Sequence, residues 1–411
     1  MYYLIVYSFV CINQIDSKIL FYNTLDQSHF ILILNKGLRK VINMLTSENA
    51  CVEIPFELYK DKEFRNFISN IENKNMGFFE KISYFKEKPF SPPICDLSNQ
   101  NNEINIFNRP KYILNNLREV TIYLNNSSTT KYSNNKAASE AYKQFDYTRI
   151  NNDNKNELDV KRVLTFIELL PQLITFNILG GNILQFRYIS KLLDNLLKYK
   201  NRIVLHIHYQ DLSKINDNYI IELLKNFNIN ILVDFPLNIE ELQKNLLKLK
   251  STNYKLVFLV ENNIDFEKSE NFIDNLNISS YNQVPFFNGR NLTFFRRNVF
   301  ITKYDIFQVK YSIVELLINR ISNPTYFGKL ILNSDGNLYS SFYSEPLDTL
   351  DCFIKNKEII INKLIIDKSS DWILNKPQIS PCNKCIYNFL CTQLSNYEKV
   401  IGKNNLCTLV K

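Results

Sequence analysis

From about residue 116 to residue 276 the sequence alternates five times between a short apolar run and a longer segment with apolar residues at helical spacing. Val120 to Leu124, Ile174 to Leu179, Ile203 to Tyr209, Asn230 to Phe235 and Tyr254 to Val260 read as strands. Glu157 to Leu169, Leu184 to Leu197, Asn216 to Asn226, Ile239 to Leu249 and Phe266 to Leu276 read as helices. Repeated βα units imply a parallel sheet, because parallel neighbours need a crossover and a short helix supplies one. The strands are continuous apolar runs, Leu256-Val257-Phe258-Leu259-Val260 for example, as expected when both faces are covered. Ser279 to Val284 and the helical Ile306 to Arg320 supply a sixth unit. The expected fold class is α/β, a full or partial (β/α) barrel with its working face at the C-terminal ends of the strands.

At 411 residues the chain exceeds one ordinary core, and its two ends differ from its middle. Residues 1–86 predict a small α+β, winged-helix-like module. Its strands are Tyr3 to Cys11, Lys18 to Asn23 and His29 to Leu34, and its helices Gly37 to Leu45 and Lys62 to Asn73. Residues 87–115, with Pro89, Pro92, Pro93 and several Asn, read as a linker. Residues 116–325 form the barrel and 326–411 a cysteine-bearing tail. In the tail, Ser334-Asp335-Gly336-Asn337 between two apolar runs marks a hairpin, and Lys355 to Ile365 a helix.

The 30 Phe and 24 Tyr suffice to build cores, which excludes disorder of the whole chain. A net charge of +8, spread among acidic residues without a basic block, speaks against a nucleic-acid partner. Met1 to Cys11 lacks the basic start and cleavage site of a signal peptide, and no run approaches the ~20 apolar residues of a membrane span. No membrane partner is expected, and the expected location is cytoplasmic. There, eight cysteines suit metal ligation or free thiols better than a disulfide framework.

Four of the eight lie together near the end: Cys382-x2-Cys385-x5-Cys391, then Cys407. Four soft, anionic thiolates suit tetrahedral zinc or the irons of an iron–sulfur cluster. The turn that places Cys382 and Cys385 on one ion or cluster edge is favoured by Pro381 and Asn383. Dithiol redox chemistry would need only the first pair. Cys11, Cys51, Cys95 and Cys352 stand apart in sequence and read as core or linker residues.

Pro-Cys382-x2-Cys385-Ile-Tyr-Asn-Phe-Leu-Cys391, followed by Ser-Asn-Tyr-Glu and Asn-Leu-Cys407, resembles the C-terminal SPASM-type domain of radical SAM peptide-modifying enzymes. More narrowly it resembles the pseudo-radical-SAM proteins of Bacteroidales peptide systems whose precursor leaders end in Gly-Gly. The resemblance implies that these four cysteines hold one [4Fe–4S] cluster, with zinc as the alternative. A second cluster is not implied, since Ser341 and Ser395 stand where the family has cysteines.

The radical SAM resemblance extends to the barrel and breaks at its chemistry. In those enzymes the loop after the first strand carries C-x3-C-x2-C. Here the loop from Asn125 to Lys136 has no cysteine, and none occurs between Cys95 and Cys352. Gly180-Gly181-Asn182 stands where the family's Gly-Gly-Glu holds the methionine amino group, and its carboxylate is missing. S-adenosylmethionine is therefore not an expected cofactor, and the glycine pair also reads as a plain tight turn. The N-terminal module resembles the element that binds leader peptides by strand addition. The implied function is a non-catalytic accessory role in ribosomal peptide maturation, with a precursor peptide and a competent radical SAM maturase as partners. The alternative is a redox-active iron–sulfur enzyme or electron-transfer partner. His206 and His208 would share one strand face, where packing outweighs metal binding. Asp234 and Glu261 read as loop caps at strand ends, and Trp372 as packing over the cysteine site.

Overall fold

The computed structural model describes residues 1–47, 49–98, 116–126, 142–145, 156–171, 173–215, 217–366 and 370–409. The N-terminal part is richer in strands than its periodicity suggests. Its elements are β1 (Tyr2–Val6), β2 (Val10–Ile15), β3 (Lys18–Asn23), β4 (His29–Ile33), α1 (Lys36–Leu45), β5 (Cys51–Ile54), α2 (Phe56–Tyr59), α3 (Lys62–Asn73), β6 (Gly77–Lys81) and β7 (Cys95–Asp96). They form two sheets, ordered β5-β1-β6 and β4-β3-β2-β7. The run expected as one strand from Tyr3 to Cys11 breaks after Val6, and β1 and β2 enter different sheets. Caps explain where the helices start: Asn35 accepts from Leu38 N at 2.8 Å, and Asp61 from Phe64 N at 2.9 Å. Leu38, Val41 and Ile42 of α1 and Phe64, Phe67 and Ile68 of α3 bury against Leu4, Ile12 and Phe21 in one core.

The proline-bearing stretch read as a linker begins inside this unit. Ser91 Oγ donates to Val6 O at 3.3 Å, Ile94 joins the core, and β7 pairs in parallel with β2. The rest of that stretch, 99–115, lies outside the described residues.

The second unit is an open nine-stranded sheet, ordered β13-β12-β11-β10-β9-β8-β14-β15-β16. Its strands are β8 (Glu119–Tyr123), β9 (Thr175–Leu179), β10 (Ile203–His208), β11 (Asn228–Val233), β12 (Asn253–Val260), β13 (Tyr281–Pro285), β14 (Lys329–Leu332), β15 (Asn337–Tyr339) and β16 (Asp348–Thr349). β8 to β13 are parallel and follow sequence order without reversal. The helices between them are α4 (Val160–Leu169), α5 (Ile189–Leu196), α6 (Asn218–Leu224), α7 (Ile239–Lys248) and α8 (Asn263–Asn275). All five send apolar residues into a single core with Val120, Ile178, Leu205, Ile231 and Phe258, so they cover one face of the sheet. α4 starts at Val160, later than its apolar pattern, because the Asp159 side chain accepts from Arg162 N at 3.0 Å. β13 and β16 lie at opposite edges and do not pair, so the described residues do not close a barrel.

The expected hairpin forms between β14 and β15, with Gly336 at φ +83°. It is not separate from the sheet, because β14 pairs in parallel with β8. The helix expected from Ile306 to Arg320 is interrupted. α9 (Leu292–Asn298) and α10 (Lys303–Ile306) precede α11 (Ile313–Ile321), which starts at a capping box of Ser312 and Glu315. α12 (Leu350–Lys355), α13 (Lys357–Ile366) and α14 (Asn396–Ile401) complete the chain. No helix among the described residues is long and apolar enough to cross a membrane.

Candidate metal centre and strand-end face

The cysteine run folds as a short 3-10 turn, Cys382–Lys384, in which Cys385 N donates to Cys382 O at 3.0 Å. That turn brings the backbones of the first two cysteines together. Cys382 and Cys391 are buried, Cys385 and Cys407 partly so. Cys407 is brought in by a bridge to Ile301, with Ile301 N donating to Leu406 O at 2.9 Å.

Burial pushes the Cys382 thiol up to about 12, and the neighbouring Cys391, Cys407 and Cys385 add to the rise. Cys385 and Cys391 are raised for the same first reason, and each also senses Cys407. The four thiols thus lie within one another's electrostatic reach. Among the described residues, no three His, Cys, Asp or Glu side chains converge into the shell of a single ion.

Lys376, unremarkable in the sequence, is the side chain that completes this centre. It is 1% exposed, donates from Nζ to Cys391 Sγ at 3.3 Å, and lies 3.5 Å from Glu398 Oε1. Burial opposes its charge, yet the thiols and Glu398 outweigh burial and raise its pKa. A buried ammonium against Cys391 Sγ suits a centre that carries negative charge when its thiols ionise. In donor chemistry and charge, the residues fit a thiolate-bound metal or cluster.

Ser341 and Ser395, which stand where the resembled family has cysteines, have other partners. Ser341 is buried and donates to Asp371 Oδ2, whose other oxygen pairs with Lys399. Ser395 caps α14: its hydroxyl donates to Glu398 Oε2 at 2.6 Å and accepts from Tyr397 N at 3.2 Å. Trp372 does not lie over the thiols. It is fully buried in the core of the large sheet, 5.1 Å from the Phe327 ring, with Nε1 donating to Lys329 O at 2.8 Å.

The C-terminal ends of the parallel strands, on the face away from the helices, are packed with apolar side chains. Tyr123, Leu179, Leu232, Leu259, Phe286 and Ile331 form one buried cluster with Tyr142. Tyr142 OH donates to Asp234 Oδ2 at 2.8 Å, and His208 Nε2 lies 3.0 Å from Asp234 Oδ1. Gln144 ties the same cover to the strand ends, accepting from Phe287 N at 2.7 Å and donating to Phe287 O at 3.1 Å. Asp234 is therefore the centre of a buried polar trio with Tyr142 and His208 rather than a loop cap. Glu261 does hold a loop: it accepts from Asn288 Nδ2 at 2.6 Å, and its own nitrogen donates to Asp265 at 3.2 Å. Burial raises the Glu261 carboxyl, and Asp265 and Asp234 raise it further.

His206 shares a face with His208 and lies 3.0 Å from Asn177 Oδ1, which fits packing rather than ligation. Of the cysteine-free loop, Asn125 and Asn126 are described and 127–136 lie outside the described residues. Asn125 grips the Gly180-Gly181-Asn182 stretch, donating to Asn182 O at 2.8 Å and accepting from Gly181 N at 2.9 Å. A methyl on Gly180 would fall 2.7 Å from Asn125 Oδ1 and 2.9 Å from its carbonyl oxygen. The glycine there serves close approach rather than a left-handed turn.

No protein-family model matches the chain, and no curated protein matches it. Among solved structures it is similar to Streptococcus suis SuiB bound to precursor peptide SuiA. That likeness has 12% identity, 95% coverage of this chain, 94% of the other and a TM-score of 0.40. SuiB bound to S-adenosylmethionine gives 11% identity, 94% coverage of both chains and a TM-score of 0.38. Likeness that loose fixes neither the family nor the activity of this chain.

Proposed function

We propose that this chain is a non-catalytic, pseudo-radical-SAM accessory protein of ribosomal peptide maturation, of the kind found in Bacteroidales Gly-Gly-leader systems. It binds a precursor peptide, a competent radical SAM maturase, or both. The observation that carries the reading is the packed strand-end face. Where a barrel enzyme keeps its working cavity, this chain buries Tyr123, Leu179, Leu232, Leu259 and Phe286 under Tyr142. The sequence around that face also lacks any cysteine from Cys95 to Cys352, so it supplies no thiolate for a radical-generating cluster. Asn182 in place of a carboxylate points the same way, since an amide holds an ammonium group less strongly.

In this reading residues 116–325 are a degenerate barrel and 326–411 a SPASM-like domain. Cys382, Cys385, Cys391 and Cys407 hold one [4Fe–4S] cluster, and Lys376 balances its charge. Zinc is the alternative occupant of the same four thiolates, since tetrahedral ligation by four sulfurs suits it equally. The cluster's contribution is chiefly folding energy for the tail. Residues 1–86 recognise peptide by strand addition. The outer edge of β4 supports this, because Ile31 and Ile33 on that edge strand are 37% and 71% exposed.

Protein purified without oxygen should carry about four irons and four sulfides per chain, lost in Cys385→Ala. Given S-adenosylmethionine and a reductant, it should make no 5′-deoxyadenosine above the protein-free control. It should bind a labelled precursor peptide, and Ile31→Pro should weaken that binding at least about tenfold by blocking the β4 edge. Formation of 5′-deoxyadenosine, or about eight irons per chain, would sink the non-catalytic reading. One zinc without iron would reduce the tail to a structural clip.

A further inference from the structure

We propose that Cys11 and Cys95 form a reversible disulfide that clamps β7 onto β2, a thiol site separate from the four cysteines of the tail. In sequence the two cysteines stand far apart, one in an apolar strand and one in a proline-bearing stretch. The fold brings them together. β2 and β7 pair in parallel, with Cys11 opposite Cys95 and Ile12 opposite Asp96. Paired strands lie about 4.8 Å apart, within the roughly 4.4–6.8 Å between Cα atoms that a disulfide spans. Both side chains lie on the same face, in one cluster with Leu20, Tyr22 and Leu97. The two thiols are close enough that each shifts the other's ionisation.

The two sulfurs differ in a way that orders the chemistry. Cys11 is 1% exposed and Cys95 only partly buried, so an oxidant meets Cys95 first. The neighbouring Cys11 thiol lowers the pKa of Cys95, and Arg320 lowers it further, against burial and Asp96. With a low-molecular-weight disulfide such as oxidised glutathione, the Cys95 thiolate attacks one glutathione sulfur and expels one glutathione thiolate. Cys11 then loses its proton and attacks the Cys95 sulfur, expelling the second glutathione. The two protein thiols together give up two electrons and two protons, and the oxidant leaves as two glutathione thiols.

The clamp has a local consequence. β7 has two residues, and Leu97 N to Ile12 O at 2.9 Å is one of the few backbone bonds that hold it. It also lies in the contact between the N-terminal unit and Tyr387, Phe389 and Leu390 of the tail. Oxidation fixes β7 in that contact, and reduction leaves it held by backbone bonds and packing alone.

The test equilibrates the full-length protein in glutathione buffers of rising oxidised fraction, quenches with iodoacetamide and maps peptides by mass spectrometry. The expected result is a cross-linked pair of peptides carrying Cys11 and Cys95, reversed by dithiothreitol. Amide exchange at residues 96 and 97 should slow about tenfold in the oxidised protein. Cys11→Ser should stop at a glutathione adduct on Cys95. Independent alkylation of both cysteines at every buffer ratio, or a wild-type Cys95 adduct that never resolves, overturns the proposal. The wild-type map decides the matter even if a serine variant fails to fold.

Discussion

At the scale of single residues, Ser341 is fully committed: it is bonded into the Asp371–Lys399 pair. Gly180 is held by Asn125, and Gly180→Ala should cost about 1–3 kcal/mol in chemical denaturation, because the new methyl overpacks a backbone contact. A cost within experimental error would mean that Asn125 can move aside at no penalty. The glycine pair was visible in the sequence, but its reason was not, since Asn125 reaches it from another strand end. His206 gives a prediction in pH. Burial lowers its pKa to about 4, against an ordinary value of 6.5. The fold prefers the neutral ring, so its contribution is intact above about pH 6.5 and is lost as pH falls from there to about 4. At pH 5 the loss should be about 1–2 kcal/mol relative to pH 7, and His206→Gln should not show it. An equal pH slope in both proteins would show that the ring is as well hydrated folded as unfolded.

Among the elements, α14 links Ser395 to the candidate metal centre. It starts at the Ser395–Glu398 capping box and stops at Gly402, whose φ is +73°. Glu398 divides its oxygens between the cap and Lys376, so one carboxylate fixes the helix start and balances the cation beside Cys391. Ser395→Ala should cost about 1 kcal/mol, an ordinary cap loss. Glu398→Ala should cost about 3–5 kcal/mol, because it also leaves a buried cation without its carboxylate. If thermal or denaturant unfolding ranks the two variants equally, Glu398 serves the cap alone. Elements of this kind divide what a sequence can disclose. The parallel strands β8 to β12 were legible because they carry buried apolar runs, whereas β13 has no buried residue and is placed only by its position in the alternation. The split of β1 from β2 was not, because both halves are apolar and only their pairing partners separate them. β7 and the Cys11–Cys95 pair were hidden for a similar reason: two residues among prolines carry no periodicity.

For the whole molecule, the question is how the cysteine-bearing tail and the N-terminal unit depend on each other. The tail packs against more than the large sheet. Tyr387, Phe389 and Leu390 share a core with Cys11, Leu20 and Tyr22 from β2 and β3, and with Leu316 of α11. Asn13 Nδ2 crosses the same contact to Ile386 O at 2.9 Å and Asn388 Oδ1 at 3.0 Å. These tail residues lie between Cys385 and Cys391, so the segment that carries two of the thiols is also the wall on which β2 rests. The opposite side of that N-terminal unit is a separate core around Leu4, Phe21, Phe67 and Ile71. If ligation holds the tail in shape, stripping the metal with a chelator should loosen this contact first. Amide exchange should then rise about tenfold or more at residues 11–13 and 20–22 of β2 and β3, while α3 keeps its protection. Phe389→Ala should mimic that pattern in metal-loaded protein, at a cost of about 3–5 kcal/mol for a buried ring. Uniform deprotection of both cores on metal removal would mean that the two units unfold as one. Unchanged exchange at β2 and β3 would mean that the thiols are held by packing alone and that ligation adds nothing to the fold.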